Sequence, residues 1–171
     1  MKSVRRSSRK LLQFVSLGVA VSSSSYGAPV SWTDATGLWS LPANWSSNPA
    51  LPGAADDVTI SVAGLQTITH SIGTDTINSL ASDENLAITG GALTVSNAFS
   101  NTANTSISSG TLTLNGVSTM DTFDMSGGTP GGAGPGTISG ASKWTSGTMT
   151  GGGTQNFNGA AALDGNALTD V

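Results

Sequence analysis

The side chains in this sequence that could do acid–base or metal chemistry are few and scattered. The densest acidic pair is Asp56-Asp57. Adjacent residues of an extended strand point to opposite faces, so these two carboxylates do not converge and read as turn-capping or solvent-facing groups. Asp121 and Asp124 flank Thr122-Phe123. They diverge in an extended segment and would offer hard oxygen ligands to Ca²⁺ only if folded into a loop, which makes them weak calcium candidates. His70 is the sole histidine and there is no cysteine, so no second soft ligand exists for a transition metal. It stands in Thr67-Ile-Thr-His-Ser-Ile72 and is read as lying on the polar side, exposed or bonded to a turn. Nucleophilic catalysis needs a base oriented by a third group, and none of the many serines lies in Gly-x-Ser-x-Gly. Gly127 to Gly136 is rich in glycine but lacks the Gly-Lys-Ser/Thr ending of a phosphate loop. No catalytic residue and no cofactor is therefore assigned. The remaining candidates are aromatic: Trp32, Trp39, Trp45 and Trp144 would stack on sugar rings if exposed, or pack under loops if buried.

Charge narrows the partners. Five of the six basic residues, Lys2, Arg5, Arg6, Arg9 and Lys10, lie at the N-terminus, leaving Lys143 against ten acidic residues. A chain so short of cations downstream of that segment cannot neutralise phosphates, which excludes nucleic acid as a partner. It equally excludes a polybasic membrane anchor. The basic stretch is followed by Leu11-Leu-Gln-Phe-Val-Ser-Leu-Gly-Val-Ala-Val21 and then by small residues up to Ala28. That order is the plan of a secretory signal peptide over residues 1–27, cut between Gly27 and Ala28. The apolar run is too short to span a membrane. The mature chain is expected to be secreted or held at the cell surface, and without cysteine it must be stabilised by packing and backbone pairing.

The elements that would position these residues are strands. Gly91-Ala-Leu-Thr-Val95 is repeated as Gly110-Thr-Leu-Thr-Leu114. It is varied as Gly136-Thr-Ile-Ser-Gly140 and Gly147-Thr-Met-Thr-Gly151, with a degraded copy at Gly153-Thr-Gln-Asn-Phe157. Apolar and hydroxyl residues alternate with period two, and glycine supplies turns between the copies. Upstream, Val58 to Val62, Thr67 to Ile72, Thr76 to Leu80 and Leu86 to Ile88 read as further short strands. The spacing from Gly91 to Gly110 matches one coil of a solenoid built of two or three strands. The longer interval from Gly110 to Gly136 is read as a flexible loop at Gly127–Gly136 or a break in register. The fold expected is all-β: a right-handed parallel β-helix of roughly five or six coils, rising about 4.8 Å per coil. Its core is expected to hold Leu, Ile and Val with little aromatic bulk. A β-sandwich is the alternative, because it too spaces strands evenly.

Residues 28–57 differ from the rest, with three of the four tryptophans and four of the six prolines. They are read as a cap over the first coil, ahead of solenoid repeats over 58–171. Gly37-Leu-Trp-Ser40, Ala43-Asn-Trp-Ser46, Leu51-Pro-Gly53 and Asp56-Asp-Val-Thr-Ile60 together resemble the N-terminal motif of large secreted bacterial repeat proteins. These are the autotransporter-like and anchor-bearing β-solenoid proteins of planctomycetes and similar bacteria. Trp144-Thr-Ser-Gly-Thr-Met-Thr-Gly-Gly-Gly-Thr154 is similar to their recurrent tryptophan–threonine–glycine coil. The resemblance implies a parallel β-helix outside the cell or attached to its surface, in a group commonly of unknown activity. The alternating pattern runs on to Val171 without an ending motif, so the expectation is a piece of a longer repeat chain. The function expected is a structural or adhesive module whose partner is an extracellular glycan or another cell-surface component. The alternative is a carbohydrate-binding or carbohydrate-cleaving β-helix, with the four tryptophans as platform and Asp121 and Asp124 as acids.

Overall fold

In the computed structural model, residues 28–163 are described, and they form a parallel β-solenoid of about six turns with almost no helix. The signal peptide expected over 1–27 and the last part of the pattern, 164–171, lie outside the described residues. The first turn contains β1 (Ala28–Ser31) and β2 (Gly37–Leu38). The second holds β3 (Asp56–Ile60), β4 (Thr67–His70) and β5 (Thr74–Ile77), and the third β6 (Ser79–Ser82), β7 (Asn85–Ile88) and β8 (Ala92–Val95). In the fourth and fifth turns the first two strands merge into one bent strand. These are β9 (Phe99–Ile107) with β10 (Thr111–Leu114), and β11 (Ser118–Ser126) with β12 (Thr129–Gly131). Then come β13 (Gly136–Ile138) and β14 (Ser142–Ser146), and finally β15 (Gln155–Phe157) and β16 (Ala161–Leu163). Among these residues no helix is long and apolar enough to cross a membrane.

Every named strand pairs in parallel with the strand one turn away, which makes three faces. The first face runs β1-β3-β6-β9-β11-β13-β15, the second β2-β4-β7-β9-β11-β14-β16 and the third β5-β8-β10-β12. Stacked partners lie 18 or 19 residues apart, as in Asn104 with Thr122 and Asn78 with Asn97. Parallel stacking excludes the sandwich, whose sheets are antiparallel. The early intervals are longer: Ala28 pairs with Asp56 and Gly37 with Ile68 across the indole-bearing first turn, and Asp57 and Ser79 are 22 apart. In that last interval the extra residues form the Ser61–Gln66 loop of the second turn.

Inside, like positions stack into columns. Ile68, Leu86, Thr105, Phe123 and Ser142 make one column, and Ile77, Val95 and Leu114 another. Burial of these side chains is the main stabilising term, roughly 1.5–3 kcal/mol for each large aliphatic residue fully removed from water. The core is more aromatic than the aliphatic interior expected from the sequence, since Trp32, Trp39, Trp45, Phe99, Phe123 and Trp144 are all buried. Volume accounts for the phenylalanines: Phe99 shares a column with Ser118 and Gly136, and Phe123 stands between Thr105 and Ser142, so each ring lies beside small column neighbours. A column of mixed sizes packs as densely as a uniform one if the turn's total volume is kept.

The repeated glycine phrase belongs to the third face. Gly73, Gly91, Gly110, Gly128 and Gly147 each open it at the same corner, and all five have positive φ, +67° at Gly91 and +75° at Gly110. From Gly91 onward a side chain there would also collide with the turn below. A Cβ on Gly110 would stand 2.6 Å from the Gly91 carbonyl oxygen. This alignment overturns the expected protruding loop at Gly127–Gly136. The true copy of Gly110 is Gly128, 18 residues on, and Thr129, Pro130 and Gly131 pair in register with Thr111, Leu112 and Thr113. Gly136 opens a first-face strand and pairs with Ser118 and Gln155. Two faces carry glycine–hydroxyl phrases of similar composition, and the sequence alone does not separate them.

Candidate functional site

The four tryptophans lie in the interior, with relative exposures of 3% for Trp32, 0% for Trp39, 1% for Trp45 and 8% for Trp144. Three of them build the first turn. Trp45 packs edge-on against Trp32 and Trp39, with ring centroids 4.8 and 4.7 Å apart. Its Nε1 donates to the Trp39 carbonyl at 2.8 Å, and Trp32 Nε1 donates to the Ala35 carbonyl at 2.9 Å. Buried Asn44 ties the turn together by donating to the Leu38 carbonyl. Trp144 belongs to the column Trp39, His70, Ile88, Ile107, Met125, Trp144 and pairs onward with Leu163. As folded, these rings turn their faces to protein and offer none to a sugar, so the platform weighed from the sequence is not assembled here.

Asp121 and Asp124 are both exposed, but they do not converge into a calcium loop. Both sit in the bent strand β11. Asp121 marks the corner where register shifts between Met120 and Thr122, and Asp124 lies on the second face. Asn104 Nδ2 donates to Asp124 Oδ2 at 3.1 Å. Asp124, Lys143, Thr145, Met125 and Ser126 border a shallow open groove of about 220 Å³. Among the described residues, no group of three or more His, Asp or Glu side chains gathers at one point.

His70 departs from its expected place. It is fully buried, because Ile68 and His70 are two residues apart and so share the inward face. The turn contact is present: Nδ1 lies 2.9 Å from the Gly90 carbonyl, to which it must donate. On the other side Nε2 lies within hydrogen-bonding distance of Asp75 Oδ2, at 2.9 Å. Asp75, an inward residue of β5, was not singled out by sequence reasoning. Its signal was available, since an aspartate in the apolar slot of a Gly-Thr-x-Thr phrase demands a buried partner.

Two further carboxylates fasten neighbouring turns. Asp57 Oδ1 accepts from Ser79 Oγ and Asn78 Nδ2, at 2.5 and 2.7 Å. Those two bonds, Ser79 first, hold its carboxyl below the usual aspartate value. Asp56 caps the turn before β3 by accepting from the Gly53 amide at 2.7 Å, as the sequence suggested. Glu84, the one glutamate of the chain, is buried and accepts from the backbone amides of Val62 and Gln66. It closes the long Ser61–Gln66 loop from the turn above. It was not singled out from the sequence, because Asp83-Glu-Asn85 has the composition of an ordinary polar turn. Asp57 and Glu84 are thus committed to joining turns, and Asp56 to a local one.

Compared with protein-family models, curated proteins and solved structures, the chain finds no match in any of the three.

Proposed function

We infer that this chain is an exported β-solenoid module with a structural or adhesive role at the cell surface. A solenoid fold by itself hosts many activities, so the reading must rest on the distribution of side chains. One observation supports it above the others: Asp57, Asp83, Glu84, Asp124 and His70 bond to a neighbouring turn, while the outer faces carry in-register ladders of hydroxyl and amide groups. Asn97 Nδ2 donates to Asn78 Oδ1 at 2.6 Å, and Thr122 Oγ1 donates to Asn104 Oδ1 at 3.0 Å. Such ladders stiffen a rod and present a repetitive surface, as a scaffold or adhesive stalk requires. The carbohydrate alternative keeps only exposed Asp121 and Asp124, because the indoles are inside. Export is tested by expressing the chain with its own N-terminus in a bacterial host and sequencing the N-terminus of the exported product. A start at Ala28 is expected, and retention in the cytoplasm with Met1 intact would refute export. Adhesion is tested by binding of the purified chain to cells and to a glycan array, with and without calcium. Binding that survives Asp121→Asn/Asp124→Asn fits a scaffold face, whereas loss of a glycan-processing activity in that variant would restore the enzymatic reading.

A further inference from the structure

The third face differs from the other two in composition, register and bonding. Each turn contributes two outward positions to it, the residues on either side of an inward one such as Leu93, Leu112 or Met149. Over five successive turns, eight of those ten positions are threonine, the exceptions being Ala92 and Gly131, and none is charged. The rows extend beyond β12, because the Thr148 and Thr150 amides donate to the carbonyls of Gly128 and Pro130. Pairing on this face runs without a bulge from β5 to β12. The bent strands of the other faces shift register beside Asp121 and again beside Ser126. The five aligned glycines begin every strand of the third face in the same phase, which keeps the rows straight. Strand geometry then fixes a repeating mesh: hydroxyls repeat every ~4.8 Å along the rod and lie ~6.6 Å apart across it.

These hydroxyls are also unspent. Among the described residues, only Thr150 of the eight makes a side-chain hydrogen bond, to the Pro130 carbonyl. Elsewhere, Thr119 bonds Ser100 and Thr122 bonds Asn104. A threonine offers one donor, two acceptor lone pairs and a methyl group. A regular array of them can anchor water through the hydroxyls while the methyls hold the intervening water in cages. The oxygen lattice of ice repeats at distances comparable to this mesh in two directions. A charged group would spoil the match by orienting water around itself, and none stands in these rows.

We propose that the third face is an ice-binding surface, its ligand the crystal plane of frozen water. A crystalline polysaccharide is the other periodic hydroxylated surface, but the face carries no aromatic ring to stack on sugars, all four indoles being inside. The proposal stands apart from export and adhesion, since it concerns only the folded chain and ice.

The experiment is microscopy and osmometry of a single ice crystal in a solution of the full-length chain. Expected are faceted crystals and a gap between melting and freezing temperatures. Both should be lost in Thr94→Tyr/Thr113→Tyr, which raises bulk above the plane, and in Thr111→Lys, which places a charge there. Both should persist in Thr119→Tyr on the first face. Circular dichroism establishes that each variant is folded, and two different lesions guard against one of them unfolding. Smooth, disc-shaped crystals and no gap with folded wild-type chain would overturn the proposal. So would equal activity in the third-face variants. Retention on a crystalline polysaccharide without any effect on ice, lost in Thr94→Tyr/Thr113→Tyr, would also overturn it by giving the face another ligand.

Discussion

At the scale of residues, the polar groups of this chain act as fasteners between turns, and each makes a distinct prediction. Removing the His70 ring leaves the Gly90 carbonyl and the Asp75 carboxylate without a donor in the interior. His70→Ala should cost about 2–4 kcal/mol, read as a lower urea midpoint at unchanged slope. Asp57 supplies the pH dependence. Its folded value is depressed by Ser79 and Asn78, so its contribution is complete above the unfolded value of about 3.9 and is lost as pH falls through the folded one. Thermal melts between about pH 5 and pH 3 should therefore fall less steeply in Asp57→Ala than in wild type. An unchanged acid limb would mean that other carboxylates carry it. The glutamate at 84 shows why a motif search misses such groups. Its partners are backbone amides of the turn below, and backbone amides leave no trace in residue identity.

At the scale of elements, the recurring unit is a short strand opened by a glycine that no other residue can replace cheaply. Gly110 combines positive φ with a carbonyl oxygen where its Cβ would go. Gly110→Ala should destabilise by roughly 1–3 kcal/mol or more. Gly152 has open space around its would-be Cβ and no positive φ. Gly152→Ala should change stability by less than about 0.5 kcal/mol. The pair separates a glycine required by geometry from one that merely belongs to a glycine-rich stretch, and equal melting temperatures for the two variants would contradict the stacking. Short strands and their alternation were legible beforehand because period two is written directly into Gly-Thr-Leu-Thr-Leu. Which copies stack was not, since Gly128-Thr-Pro-Gly131 has lost the alternation and is held in the third face only by pairing with the turn beneath it.

At the scale of the whole molecule, stability is a sum over turns and their interfaces, so an end without a cover would fray first. The indole cluster closes the first turn. Trp39→Ala should cost about 3–5 kcal/mol and loosen β2 and β4 ahead of later turns. Hydrogen exchange would show the early strands losing protection first, and uniform loss along the rod would argue for a single cooperative block. Native tryptophan fluorescence should be poorly quenched by acrylamide, since each ring is at most 8% exposed. Strong quenching would place an indole outside and revive the sugar platform. The sequence left burial of the tryptophans and stacking on sugars both open. An indole serves either role, and only neighbours from other turns decide between them.

What the sequence determined by itself is the local alphabet: strands without helices, turns at glycine, one coil of about nineteen residues, and a chain nearly free of cations beyond its first segment. Those features depend on neighbours within a few residues, or on simple counting. The tertiary structure decided everything that depends on residues one turn apart. It put His70 beside Asp75, gave the buried Glu84 a loop to hold, turned the indoles inward, and aligned the threonines into uncharged rows. In a solenoid each side chain meets partners 18 or 19 positions away, and a shift of one residue in any turn reverses which face a side chain joins. Register, set by the sum of all the turns, is the information that no single stretch of the sequence contains.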